Sequence, residues 1–141
     1  MTKKMEIKNN DDGNKKKILI IDDEVDITFT FKIGLEETGL FTVDTFNDPQ
    51  DVLFNFKPGM YDLLLIDIRM PNRSGYELYK EIRKKDPRVK VIFVTASEPF
   101  EHLQKVFPTF DKNYYILKPI EINELVKRVN SIIAADLPGR A

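Results

Sequence analysis

Five residues with chemically useful side chains stand directly after short apolar runs: Asp22 and Asp23, then Asp67, then Thr95, then Lys118. Three carboxylates, a hydroxyl and an ammonium are groups that handle phosphate or a metal ion. Singly, each has a plain explanation, since Asp after a strand commonly caps a turn and Thr or Lys there is commonly surface. Together they raise an electrostatic problem. Two carboxylates about 5 Å apart repel by ~3 kcal/mol at an effective dielectric of about 20. Lys118 neutralises only one of three, leaving roughly two negative charges for a divalent cation to cancel. An all-oxygen, partly hydrated site favours Mg2+, with Mn2+ as a substitute. Without metal, one carboxyl pKa should rise.

For these residues to meet, the runs that carry them must be neighbours in one sheet. Residues 17–21, 61–66 and 89–94 are nearly continuous apolar runs, as expected of strands buried on both faces. Residues 41–46 alternate in the strand manner, and 114–117 form a fifth strand ending at Lys118 and Pro119. Between them, residues 24–38 are read as a helix capped by Gly39, although Val25, Ile27, Phe29, Phe31, Ile33 and Leu35 mix several spacings. Asp48-Pro49 opens a short helix to about Phe56, and Ser74 caps one that carries Leu78 and Ile82. A helix over 98–106 must have Pro99 near its start and stop by Pro108. Residues 121–134 show Ile122, Leu125, Val129, Ile132 and Ile133 at helical spacing.

Strands alternating with helices imply an α/β fold, a doubly wound parallel sheet of five strands with helices on both faces. Ligands of such sheets bind beyond the carboxyl ends of the strands. In the order 2-1-3-4-5 the five polar residues converge on one rim, while the second strand delivers only Phe46 and Asn47.

Bulk properties agree with one domain over residues 17–135, between a polar, disordered leader (1–16) and a short tail (136–141). The 141 residues are 42% hydrophobic and 32% charged, with a net charge of -1. Lys3, Lys4, Lys8, Lys15, Lys16 and Lys17 crowd the start, a solvated tail rather than a nucleic-acid-binding arm. There is no cysteine, which excludes disulfides and thiolate metal sites and fits a reducing, cytoplasmic setting. No run approaches the ~20 apolar residues of a membrane span. The lone His102 is read as exposed, with no second His or Cys to build a zinc site.

The ordered motifs Ile20-Ile-Asp-Asp-Glu24, Leu65-Ile-Asp-Ile-Arg-Met-Pro-Asn-Arg-Ser-Gly75, Val94-Thr-Ala96 and Tyr115-Ile-Leu-Lys-Pro119 are each weak alone. Together, from about Lys17 to Ala134, the chain resembles the response-regulator receiver family of two-component phosphorelays. The resemblance implies a flavodoxin-like fold and a nucleophilic Asp67 that takes phosphate from a partner's phosphohistidine to give an aspartyl phosphate. It further implies Mg2+ ligated by Asp23, Asp67 and the backbone carbonyl of Arg69, with Asp22 acting through a water. Lys118 would pair with the phosphoryl oxygens, and Thr95, with Ala96 beside it, would meet the new phosphoryl group. Tyr115 would then rotate into vacated space, changing the surface of the fourth helix, fifth strand and last helix. The Lys118–Pro119 bond is cis in the family.

Implied partners are a histidine kinase or histidine phosphotransfer protein and a downstream protein on that surface, with room for a phosphorylation-dependent homodimer. Such a protein is a switch that catalyses its own modification rather than an enzyme acting on an external substrate. Two features depart from the family. A small Gly-Ala pair before the fifth strand is replaced by Phe110-Asp-Lys-Asn113, and Pro99 and Pro108 bracket the fourth helix. The rival within the fold is a receiver-like adaptor that is never phosphorylated. An aspartate-nucleophile phosphatase needs Asp-x-Asp-x-Thr after its first strand, which Asp22-Asp-Glu-Val-Asp26 does not supply. Neither glycine-rich nucleotide-binding motif occurs.

Overall fold

A strand covered on both faces must be apolar along its length, and the three central runs are buried in this way. The structure is a computed structural model describing residues 14–96 and 99–135. Most of the leader, Ser97, Glu98 and the tail lie outside the described residues. The strands are β1 (Lys16–Ile21), β2 (Phe41–Phe46), β3 (Leu63–Asp67), β4 (Lys90–Thr95) and β5 (Tyr115–Leu117). They form one parallel sheet, as the alternation required, and its order is the expected β2-β1-β3-β4-β5.

The helices are α1 (Val25–Glu36), α2 (Pro49–Asn55), α3 (Gly75–Lys85), α4 (Phe100–Val106) and α5 (Ile122–Ala134). α1 packs on α5 and α2 on α3, covering both faces of the sheet. Local chemistry sets their starts. Asp48 accepts from the Gln50 amide with Pro49 in the first turn, and Ser74 and Glu77 form a reciprocal capping box. Gly39, at φ +78°, takes the left-handed conformation that ends the turn after α1. None of the helices among the described residues is long and apolar enough to cross a membrane.

Boundaries differ from the sequence reading in instructive places. α1 buries Thr28, Phe31, Gly34 and Leu35, whereas Val25, Phe29 and Ile33 are 63%, 63% and 41% exposed. Its mixed spacing therefore comes from an apolar stripe on the solvent side. Tyr114 belongs to a 3-10 turn (Lys112–Tyr114) before β5 rather than to the strand. The segment that departs from the family is filled by rings: Phe93 lies 5.5 Å from Phe110 and 6.2 Å from Phe107, and Phe110 lies 6.0 Å from Tyr114.

Both sheet edges are engaged by side chains. On β2, Glu36 accepts from the Val43 amide at 3.0 Å while Lys32 donates to the Val43 carbonyl. On β5, Arg128 donates to the carbonyls of Tyr115 and Asn113.

Gly75 is the point where α3 meets the strand that carries Asp67. Its amide donates to the Ile68 carbonyl at 2.8 Å, and a Cβ there would lie 2.3 Å from the Asp67 backbone oxygen. That neighbour is backbone and cannot rotate away. Gly75→Ala is therefore expected to cost about 2–3 kcal/mol of unfolding free energy, as overpacking does, and to displace Asp67. Urea denaturation checks it, and a loss below about 0.5 kcal/mol, the usual scale of a surface substitution, would show that the helix start yields.

Candidate functional site

The register of the sheet determines which strand ends meet. Ile21 pairs with Ile66, so Asp22 at the end of β1 lies beside Asp67 at the end of β3. Asp67 pairs with Val94, which puts Thr95, the last residue of β4, one step further along the same rim. The Lys118 amide donates to the Thr95 carbonyl at 2.7 Å, tying the residue after β5 to β4. All five residues singled out from the sequence thus share one edge of the sheet.

The side chains converge as well. Ligand atoms of Asp22, Asp23 and Asp67 lie within 4.8 Å of one another. Lys118 Nζ donates to Asp22 Oδ2 at 2.7 Å and lies 3.6 Å from Glu24 and 3.7 Å from Asp67 Oδ2. Asp22 and Asp67 are almost fully buried, and Asp23 is the least buried of the three. The Arg69 amide approaches Asp67 Oδ1 at 3.4 Å, which places the Arg69 backbone beside the carboxylate.

Burial makes charge costly here. The Asp67 carboxyl is pushed up to about 7, first by loss of hydration and then by the neighbouring Asp22. Burial also raises Asp22, against the hydrogen bonds from Lys118 and the Glu24 amide. Burial works to lower the Lys118 ammonium, yet the carboxylates of Asp22, Asp67 and Glu24 override it and hold it above the ordinary lysine value. Three carboxylates facing one ammonium form an oxygen donor set with excess negative charge. This cluster can hold a divalent metal ion.

Thr95 has no exposed surface, and its hydroxyl has no hydrogen-bond partner among the described residues. An unsatisfied buried hydroxyl costs about 1–3 kcal/mol, so a group that it could bind would relieve a standing penalty. Ala96 is exposed beside it, at the edge of the described segment. Tyr115 is half-buried with its ring 5.5 Å from Phe100 of α4, in edge contact. The Lys118–Pro119 bond is cis. His102 is exposed and lies outside the cluster.

Three participants were not foreseen. Glu24 reaches Lys118, and Asn47 Nδ2 donates to the Asp22 carbonyl at 2.8 Å and to Thr28 Oγ1 at 3.1 Å. Asn47 was visible as a strand-end residue, and Thr28 as a polar residue among apolar ones, but neither pattern names a chemical task.

Residues 18–130 match the family model of the response regulator receiver domain. The chain is 33% identical over 114 residues to the transcriptional regulatory protein DltR of Streptococcus agalactiae, covering 80% of this chain and 50% of DltR. It is also 33% identical to the Thermotoga maritima response regulator protein TrrA, solved in complex with Mg(2+)-BeF. That match has a TM-score of 0.66 and covers 83% of this chain and 98% of TrrA. A chain in the crystal structure of the histidine kinase ThkA in complex with TrrA matches at 33% identity and a TM-score of 0.67, covering 85% and 99%. The chain spans about half the length of the curated relatives it matches.

Proposed function

Because this chain belongs to the response regulator receiver domain family, a family of signalling proteins, we propose that it is the phosphoryl-accepting switch of a two-component system. Its donor is a phosphohistidine on a histidine kinase or phosphotransfer protein, the pairing seen for the similar TrrA with ThkA. The supporting observation is the strand-end cluster itself: three carboxylates within 4.8 Å, with Lys118 Nζ 3.7 Å from Asp67.

In this reading an Asp67 oxygen attacks phosphorus, and the bond to the donor histidine nitrogen breaks as the acyl phosphate forms. The carboxyl must be ionised to attack, and burial, with the neighbouring Asp22, opposes that. Lys118 lowers the cost and meets the phosphoryl oxygens as a compact charge. Asp23, Asp67 and the Arg69 carbonyl would hold Mg2+, with Asp22 acting through water; when bound, the ion would supply positive charge against the phosphoryl oxygens. Mn2+ suits the same oxygen donors. Thr95 donates its spare hydroxyl to the new group, with Ala96 beside it.

The readout follows from where Thr95 sits. Drawing it toward Asp67 pulls on the segment leading to α4, against which Tyr115 now packs through Phe100. The switched surface is therefore α4, β5 and α5, where a cytoplasmic protein target, or a second phosphorylated copy, would dock.

The test is incubation with acetyl phosphate and magnesium followed by intact mass, with a chelator control. One phosphoryl group should add only when magnesium is present. Repeated absence of the adduct, in folded protein that binds no magnesium, would replace this reading with that of an unphosphorylated adaptor.

A further inference from the structure

Every polar atom of Asp22 has a partner. Its amide donates to the Phe46 carbonyl at 3.2 Å, its carbonyl accepts from Asn47, Oδ1 accepts from the Glu24 amide at 2.9 Å and Oδ2 from Lys118. Asp23 is the opposite case: its carboxylate has no hydrogen-bond partner among the described residues. The aim of the Asp23 side chain is thus inherited from its backbone. The peptide joining Asp22 to Asp23 is held on its carbonyl side by Asn47 Nδ2.

Asn47 is itself seated. The same Nδ2 donates to Thr28 Oγ1, and that hydroxyl donates to the Val25 carbonyl at 3.0 Å in the first turn of α1. Thr28 is 2% exposed, so this hydroxyl is a fixed acceptor in the interior. A side chain from just beyond the edge strand β2 therefore ties the acidic loop to α1.

We propose that Asn47, seated on Thr28, is a positioning residue for phosphoryl transfer: it orients the Asp22–Asp23 peptide so that the Asp23 carboxylate faces the cluster. The inference rests on the phosphoryl-transfer reading above and adds a residue from the strand end that supplies none of the five clustered side chains. Outer-shell partners of metal ligands typically contribute about 10–100-fold in affinity, and the clamp acts one bond further back, on backbone.

The test uses Asn47→Leu, close in shape but without the amide, beside Asn47→Gln, which keeps it, and Thr28→Val, which removes its seat. Calorimetric titration with magnesium chloride at pH 8 should show binding weakened about tenfold in the Leu variant, with Gln and Val between it and the wild type. In metal-free protein the Glu24 amide should exchange with solvent several-fold faster, a readout independent of phosphorylation. Acetyl phosphate labelling should slow at limiting magnesium and recover at saturation. Magnesium affinity within about twofold of wild type in folded Leu and Val variants would overturn the role, because an outer-shell partner contributes more than that. Wild-type protein that binds no magnesium would instead bring down the phosphoryl-transfer reading itself. If the Leu variant does not fold, the Val variant decides.

Discussion

Replacing Asp67 by Asn is expected to reduce phosphoryl uptake by at least about 10³-fold, as loss of a nucleophile does, while making the metal-free protein more stable. Uptake fails because an amide cannot form the acyl phosphate. Stability rises because Asn removes a charge that the fold disfavours. The Asp67 carboxyl is raised from an ordinary 3.8 to about 7, so the folded state binds its proton more tightly than the unfolded state does. Stability from this group is fully present below pH ~4 and is lost as pH rises toward 7. This is the reverse of ordinary acid denaturation. The interval between 3.8 and about 7 sets a ceiling near 4 kcal/mol, and about 2 kcal/mol at pH 8 is the expected gain in the variant, since relaxation and water soften the penalty. Urea denaturation in chelator from pH 4 to 8 measures it. A wild-type stability that climbs through that window by as much as the Asn variant's would contradict the account. Saturating magnesium should favour the wild type instead, since a ligand stabilises the state that binds it.

Lys118→Met separates the roles of the two kinds of positive charge. The variant leaves Asp22 and Asp67 buried without their ammonium partner, which is 2.7 and 3.7 Å away in the wild type. Breaking a buried pair costs about 3–5 kcal/mol, and the lower end is expected in metal-free protein at pH 8. The deficit should shrink toward pH 4 as the carboxyls take up protons. Because the Lys118 pKa is raised in the folded state, its contribution holds below the ordinary lysine value and is lost only as pH rises through the higher folded one. Magnesium should bind at least as tightly as in wild type, since a competing cation is gone. Phosphoryl transfer should nevertheless fall by ~10²-fold or more, the usual consequence of removing one preorganised charge from a transferring group. Unchanged labelling at saturating magnesium would assign Lys118 to structure alone.

The parts of this molecule that could be read from the chain are those governed by neighbours in sequence. Burial on both faces demands continuous apolar runs, so β1, β3 and β4 were legible, and with them the residues at their ends. Ser74 as a cap and Asp48 with Pro49 were equally legible, because a cap acts within three residues. What stayed hidden depends on distance through space. The spacing in α1 was ambiguous because Val25, Phe29 and Ile33 remain exposed. The ring cluster around Phe93 draws on residues from four segments, so Phe110 in place of a small residue could be noted but its packing could not. Asn47 and Thr28 lie 19 positions apart and meet only because β2 lies beside β1.

The side chains along the two rims of the sheet bear on how many such molecules share a solution. A parallel sheet has two outer strands whose spare peptide groups are a template for another chain, the first step of filament growth. Here the Val43 peptide is already held by Lys32 and Glu36, and the start of the opposite border is held by Arg128. Lateral zippering at these points would have to evict the protein's own charged side chains first. At those points the sheet is guarded against lateral growth without being closed into a barrel, and crowded copies find no ready-made seam there along which to polymerise.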